Sequence, residues 1–217
     1  ITIAEAARHR LFSEGKPIVA ERSVEEASGW IAESLQFAAQ EGTSYDFEKT
    51  VSLVNSLDET IDDPQQTARD LAAAAADFAE LYQQHTKAWA RLWEQADLQV
   101  ERDRFAQKAL RLHIYHLLVT ASEHNKRLDA GMPARGLHGE AYRGHIFWDE
   151  LYILPFYNMY FPEVTRALLL YRYHRLDAAR AYAKEHGYAG AMFPWQTADD
   201  GLEETQVIHY NPLSGDW

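Results

Sequence analysis

The spacing of apolar residues changes once along this chain of 217 residues, and that change constrains the fold more than any other feature. Up to about Asp58, apolar and polar residues alternate in three stretches: Pro17 to Arg22, Gly29 to Ala38 and Tyr45 to Val54. A period of two fits strands with one buried face, and Gly15 and Gly42-Thr-Ser44 separate the stretches, so antiparallel strands are expected. Strands this few need a helical layer or more sheet to cover them. From Asp62-Asp63-Pro64 the spacing becomes three and four. A carboxylate can cap a helix there, and proline is pre-set for its first turn. Leu71, Ala75, Phe78, Tyr82, Trp89 and Leu92 then form one apolar stripe to about Gln95, which reads as a helix packing on a core.

Further helices follow. One starts near Asp103 and carries Phe105, Ala109, Leu112, His113, His116, Leu117 and Thr120 up to the polar run at Glu123. Pro162 opens another through His174, and Asp177 is a candidate cap for a short helix ending at Gly187. Residues 190–217 read as loop, because Pro194, Gly201, Pro212 and Gly215 lie too close together for regular elements.

Composition removes several classes of function. A net charge of −12 offers no basic surface, so nucleic acid and anionic membrane are not expected partners. No apolar run approaches the roughly 20 residues of a spanning helix. The absence of cysteine rules out disulfides, thiolate zinc sites and a cysteine nucleophile, and fits a cytoplasmic protein. The chain begins at Ile1 rather than methionine, so it is expected to be part of a longer polypeptide.

The segment from Ala134 to Glu150 concentrates arginines, histidines, carboxylates and Trp148 between glycines. Glycines admit close approach of backbone, Trp148 offers a flat apolar face with one N–H donor, and Asp149 and Glu150 accept hydrogen bonds from vicinal hydroxyls. A sugar fits these groups better than a lipid or a nucleotide. The competing reading is a loop leading into a buried aromatic helix, with Trp148 in the core and Asp149 as its cap.

Asp149 and Glu150 are adjacent, hence about 100° apart on a helix, and do not form an acid/base pair. An inverting glycosidase holds its acid and base roughly 6.5–9.5 Å apart across the scissile bond. His113 and His116 could share a metal, but without cysteine or a His-Glu-x-x-His arrangement they read as ordinary helix residues. No phosphate-binding glycine turn, Walker lysine or nucleophile elbow occurs.

Several motifs together resemble glycoside hydrolase family 65, whose members include maltose, trehalose and kojibiose phosphorylases and the hydrolytic acid trehalases. They are Arg135-Gly-Leu, Gly139-Glu-Ala-Tyr-Arg-Gly-His145, Phe147-Trp-Asp149, Leu154-Pro-Phe-Tyr157, Ala167-Leu-Leu-Leu-Tyr-Arg-Tyr173 and Ala191-Met-Phe-Pro-Trp-Gln196. The resemblance implies a mainly α chain with an N-terminal β part. Residues 1–60 would end an N-terminal β-sandwich, 61–97 would form linker helices, and 98–217 would begin an (α/α)6 catalytic barrel.

The same resemblance implies that Trp148 and Asp149 grip the glucosyl unit at the −1 subsite, and that Arg143 and His145 line or support that pocket. Many family members read Trp-Asp-Thr-Glu, whereas here Glu150 directly follows Asp149. Glu150 is therefore given no catalytic role and either supports the pocket or binds a hydroxyl. The family's general acid and phosphate loop belong to later motifs without a counterpart before Trp217. The implied function is a fragment of an inverting α-glucoside phosphorylase, converting a disaccharide and inorganic phosphate to β-glucose 1-phosphate and a free sugar. Phosphate is then a co-substrate, no cofactor or metal is needed, and the parent protein can be a homodimer. Alternatives are a hydrolase of the acid-trehalase type and a non-catalytic carbohydrate-binding or interaction fragment. The isolated chain is expected to be inactive.

Overall fold

The computed structural model describes residues 1–136 and 142–205. It divides into two compact units, residues 1–85 and 86–217.

The first unit is strand-rich. β1 (Ile3–Ser13) pairs antiparallel with β5 (Tyr45–Asn55) along its full length, from Ile3 opposite Asn55 to Ser13 opposite Tyr45, and β2 (Lys16–Pro17) adds to its other edge. β3 (Glu21–Ala27) and β4 (Trp30–Gln36) make a separate two-stranded ribbon. Residues 18–20 are not strand, so the alternation at Pro17 to Arg22 belongs to two elements rather than one.

α1 (Pro64–Ala74) covers one face of this sheet, burying Ala68 and Ala72. Asp63 caps it as expected, its carboxylate accepting from the Gln66 amide at 3.0 Å. The expected stripe to Gln95 is interrupted: Ala75 leaves the helical region at ψ 140, and α2 (Phe78–Ala96) starts afresh. Arg8 accounts for the break. Its guanidinium donates to the carbonyls of Ala73 and Ala75, each at 2.7 Å, and of Ala76 at 3.2 Å. Asp77 accepts from the Glu80 amide at 2.9 Å, opening α2 with its own cap. A charged donor to several carbonyls replaces what the helix would have satisfied internally.

The second unit is helical: α3 (Arg104–Thr120), α4 (Glu150–Tyr160), α5 (Pro162–His174) and α6 (Leu176–Glu185) follow α2. Asp103 caps α3 through the amides of Phe105 and Ala106. Glu123–Arg127 forms a short 3-10 turn of its own rather than only ending α3. α6 starts at Leu176, which places Asp177 in its first turn, where it pairs with Arg180 at 3.1 Å instead of capping.

Ala121, Met132, Tyr157, Val164 and Leu168 form one buried cluster, and Ala96, Ile114 and Leu118 form another, with Phe156 and Phe161 packed against both. The Tyr157 hydroxyl donates to the Leu117 carbonyl at 2.6 Å, which ties α4 to α3. Burial pushes that phenol well above its ordinary range. A strand-rich N-terminal part followed by six α-helices among the described residues agrees with the mainly α fold with a β beginning.

Candidate functional site

Of the glycine-rich segment, residues 137–141 lie outside the described residues; the rest forms a short, strained approach to α4. Tyr142 and Arg143, at φ 57° and 51°, are both left-handed, and Gly144 follows at 74°. Two consecutive non-glycine residues in that region are costly and persist only where surroundings enforce them. His145 supplies that enforcement. Its amide bonds the Tyr142 carbonyl at 2.9 Å, its Nδ1 lies 2.7 Å from the same oxygen, and its Nε2 lies 2.6 Å from the Glu204 carboxylate. Both ring nitrogens thus lie within hydrogen-bond reach of an oxygen, one on the turn and one on Glu204. The Arg143 side chain is exposed.

The chain then straightens into β6 (Ile146–Phe147), which is buried and pairs antiparallel with β7 (Gln196–Thr197). Ile146 also bridges Pro133. Gly131 makes this packing possible: a Cβ there would stand 2.4 Å from Ile146 Cδ1 and 3.1 Å from Tyr171 Cδ1.

Trp148 and Asp149 lie where β6 passes into α4. Trp148 is 39% exposed, so it is not a core residue. Its ring lies 5.3 Å from that of Trp195, tilted by 37°, and 5.3 Å edge-on from Tyr152. Asp149 holds the N-cap position of α4 yet has helical φ and ψ of −54° and −23°, and its side chain makes no capping hydrogen bond. A capping side chain needs an extended backbone at that residue. The backbone makes the turn instead, with the Leu151 and Tyr152 amides donating to the carbonyls of Trp148 and Asp149 at 3.1 and 3.0 Å. The half-buried Asp149 carboxylate is therefore not consumed by the helix it precedes.

Glu150 is arranged differently. It is buried, its Oε1 accepting from the Met132 amide at 3.2 Å and its Oε2 from Arg172 Nε at 2.9 Å. Arg172 also donates to the Phe147 carbonyl at 3.2 Å. One guanidinium on α5 thus holds the Phe147 backbone before Trp148 and the Glu150 side chain after Asp149. A buried carboxylate with both oxygens engaged by protein groups has little capacity left for a ligand.

Sequence reasoning singled out Trp148, Asp149, Arg143, His145 and Glu150, and the fold gathers them in one region with Trp195, which it did not single out as a site residue. Glu203 organises the loop around Trp195, its Oε2 accepting from the Trp195 amide at 2.6 Å and its Oε1 from those of Gln196 and Thr205 at 3.2 and 2.9 Å. Nearby, Arg175 donates to the Asp199 carbonyl and pairs with Asp129 at 3.0 Å. Gly201, at φ 80°, would bring a Cβ to 2.9 Å from that arginine's side chain. Burial works against the Asp129 charge, but hydrogen bonds from Arg175 and His174 outweigh it and hold the carboxyl below its usual range.

A half-exposed indole pair beside an uncapped carboxylate can stack on the apolar face of a sugar ring and accept from its hydroxyls. Among the described residues no group of three or more histidines, aspartates and glutamates is poised to hold a metal ion. No described helix is long and apolar enough to cross a membrane.

Comparison with known proteins shows the family. Residues 1–92 match the profile described as glycosyl hydrolase family 65, N-terminal domain, and residues 111–217 match the glycosyl hydrolase family 65 central catalytic domain. An uncharacterized glycosyl hydrolase of Mycobacterium tuberculosis is 43% identical over all of this chain, which covers 16% of that protein. The trehalose 6-phosphate phosphorylase of Lactococcus lactis is 38% identical over 86% of this chain and 24% of its own length. A kojibiose hydrolase of Flavobacterium johnsoniae is 39% identical over 94% of this chain and 29% of its own length. The chain thus spans less than a third of each of these relatives.

Proposed function

We propose that this chain, which belongs to glycosyl hydrolase family 65, supplies −1 subsite residues of an inverting α-glucoside phosphorylase. The observation that carries the reading is the pairing of Trp148, half-exposed against Trp195, with an Asp149 carboxylate that no helix cap consumes. In this reading Trp148 shapes or stacks on one face of the glucosyl ring, and Asp149 accepts hydrogen bonds from its hydroxyls. A site built around buried hydroxyl contacts rejects analogues that lack them. Arg143 and His145 order the approach. Glu150 acts by holding Arg172 and the Met132 amide in place, rather than on the sugar.

In an inverting displacement an anionic phosphate attacks the anomeric carbon from the face opposite the leaving sugar, while an acid protonates the departing oxygen. Phosphate already carries its charge, so no base is required. None of the residues described is assigned the role of acid. No cofactor enters the scheme, and a cytoplasmic, homodimeric parent enzyme is part of the same proposal. A hydrolytic reading has a specific observation in its favour, since a kojibiose hydrolase resembles this chain as closely as the trehalose 6-phosphate phosphorylase does.

The deciding experiment incubates the full-length enzyme with α-linked glucose disaccharides, with and without inorganic phosphate. β-Glucose 1-phosphate formed only in its presence is expected. Free glucose released at the same rate without phosphate would establish the hydrolase instead, and absence of turnover on every disaccharide would leave the non-catalytic alternative.

A further inference from the structure

Trp148 and Trp195 are far apart in sequence and meet because of a very short sheet. Phe147 stands opposite Gln196 in the antiparallel pairing of β6 with β7, so the next pair along the same register is Trp148 with Trp195. Two strand residues on each side are too few to fix such a pairing alone. The remaining restraints come from two adjacent glutamates acting in different directions. Glu203 folds its own loop by accepting from three backbone amides, those of Trp195, Gln196 and Thr205. Glu204 fastens that loop to the other one. Its amide donates to the Gln196 carbonyl at 3.0 Å, and its carboxylate meets His145 Nε2 at 2.6 Å.

Resting on the sugar-binding reading above, we infer that Glu203 and Glu204 are positioning residues for that site, and that the Glu204–His145 contact is a latch holding Trp195 against Trp148 as one two-indole platform for a hexopyranose ring. Neither glutamate touches the sugar. The latch joins the loop carrying Trp195 to the strained turn that delivers Trp148 and Asp149. Releasing it frees Trp195 to move while leaving Phe147 and Glu150, the neighbours of Trp148 and Asp149, held by Arg172. The platform's contribution is to binding, so its loss raises KM and leaves the chemical step largely unchanged.

The test uses the full-length enzyme and two readouts. Indoles in contact give a coupled circular-dichroism band, and the difference between wild type and Trp148→Phe isolates the Trp148–Trp195 contribution from that of the Trp89–Trp93 pair. In Glu204→Ala that band is expected to be lost and KM for the disaccharide to rise about fivefold or more, with kcat changed less than about twofold. Glu204→Gln, which still offers an acceptor to His145, is expected to restore both. His145→Asn, whose shorter side chain does not reach Glu204, serves as the second variant should Glu204→Ala fail to fold, and it is expected to lose the same band. A band that survives in these variants, or a lost band with unchanged KM, overturns the inference. If Asp149→Ala is still severely impaired in that event, the proposed function stands without the latch, so the two failures are told apart.

Discussion

Arg172 donates to the Glu150 carboxylate at 2.9 Å and to the Phe147 carbonyl at 3.2 Å, so one side chain of α5 brackets both candidate sugar-binding residues. The two partners are largely shielded from solvent. Removing one member of such a pair leaves the other's charge buried without compensation. Arg172→Ala is expected to cost about 3–5 kcal/mol in stability, read by urea denaturation. Arg172→Lys keeps the charge but loses the planar fork that reaches both acceptors, and should fall between wild type and Arg172→Ala.

Gly131 tests the packing beneath the same segment. Gly131→Ala should destabilise by about 1–3 kcal/mol, because its Cβ would collide with Ile146 Cδ1. Ile146→Val removes that methyl group. The double variant is therefore expected to lose less stability than the two single changes sum to, a coupling that thermal or chemical unfolding of all four proteins would measure.

Asp129 predicts an acid-sensitive contribution. Despite the opposing effect of burial, hydrogen bonds from Arg175 and His174 lower its folded-state pKa beneath the ordinary 3.8. Its stabilisation is thus present above that value and lost as pH falls through the depressed one. Asp129→Asn should flatten part of the decline in stability on acidification, the remainder belonging to groups such as Glu33 and Asp97, which are also held low by arginine and histidine partners.

Tyr157 works in the opposite direction. Burial raises its pKa from the ordinary 10.0, so the folded chain keeps a proton that the unfolded chain gives up. Its contribution is complete below about pH 10 and is lost as pH rises toward the raised folded value. Tyr157→Phe should cost about 1 kcal/mol at neutral pH, from the hydrogen bond to the Leu117 carbonyl, and reduce the alkaline loss of stability.

These same residues explain what the sequence made legible. The change from alternating to helical spacing is a local signal, and Asp63, Asp103 and Pro162 mark helix starts where they were expected. Features set by partners distant in sequence were not visible. β1, rich in alanine and arginine, is a strand because β5 pairs with it throughout, and the alanine run breaks because Arg8 collects its carbonyls. Neither cause is written in the local spacing. In the candidate site, Trp148 and Asp149 stand out in the sequence through their motif. Trp195 falls in a stretch without regular spacing, since a two-residue strand leaves no period to detect, although it belongs to a Phe-Pro-Trp-Gln motif. Glu203 and Glu204 carry no signal of their own beyond being two acidic residues near a glycine.

The central claim is that Asp149 contacts the glucosyl unit directly, and Asp149→Ala in the full-length enzyme tests it. Because Asp149 caps no helix, the change should leave thermal stability nearly intact while lowering kcat/KM by more than about tenfold, the scale of a lost hydrogen bond from hydroxyl to carboxylate. A fall smaller than about tenfold in a stably folded variant would contradict a direct contact.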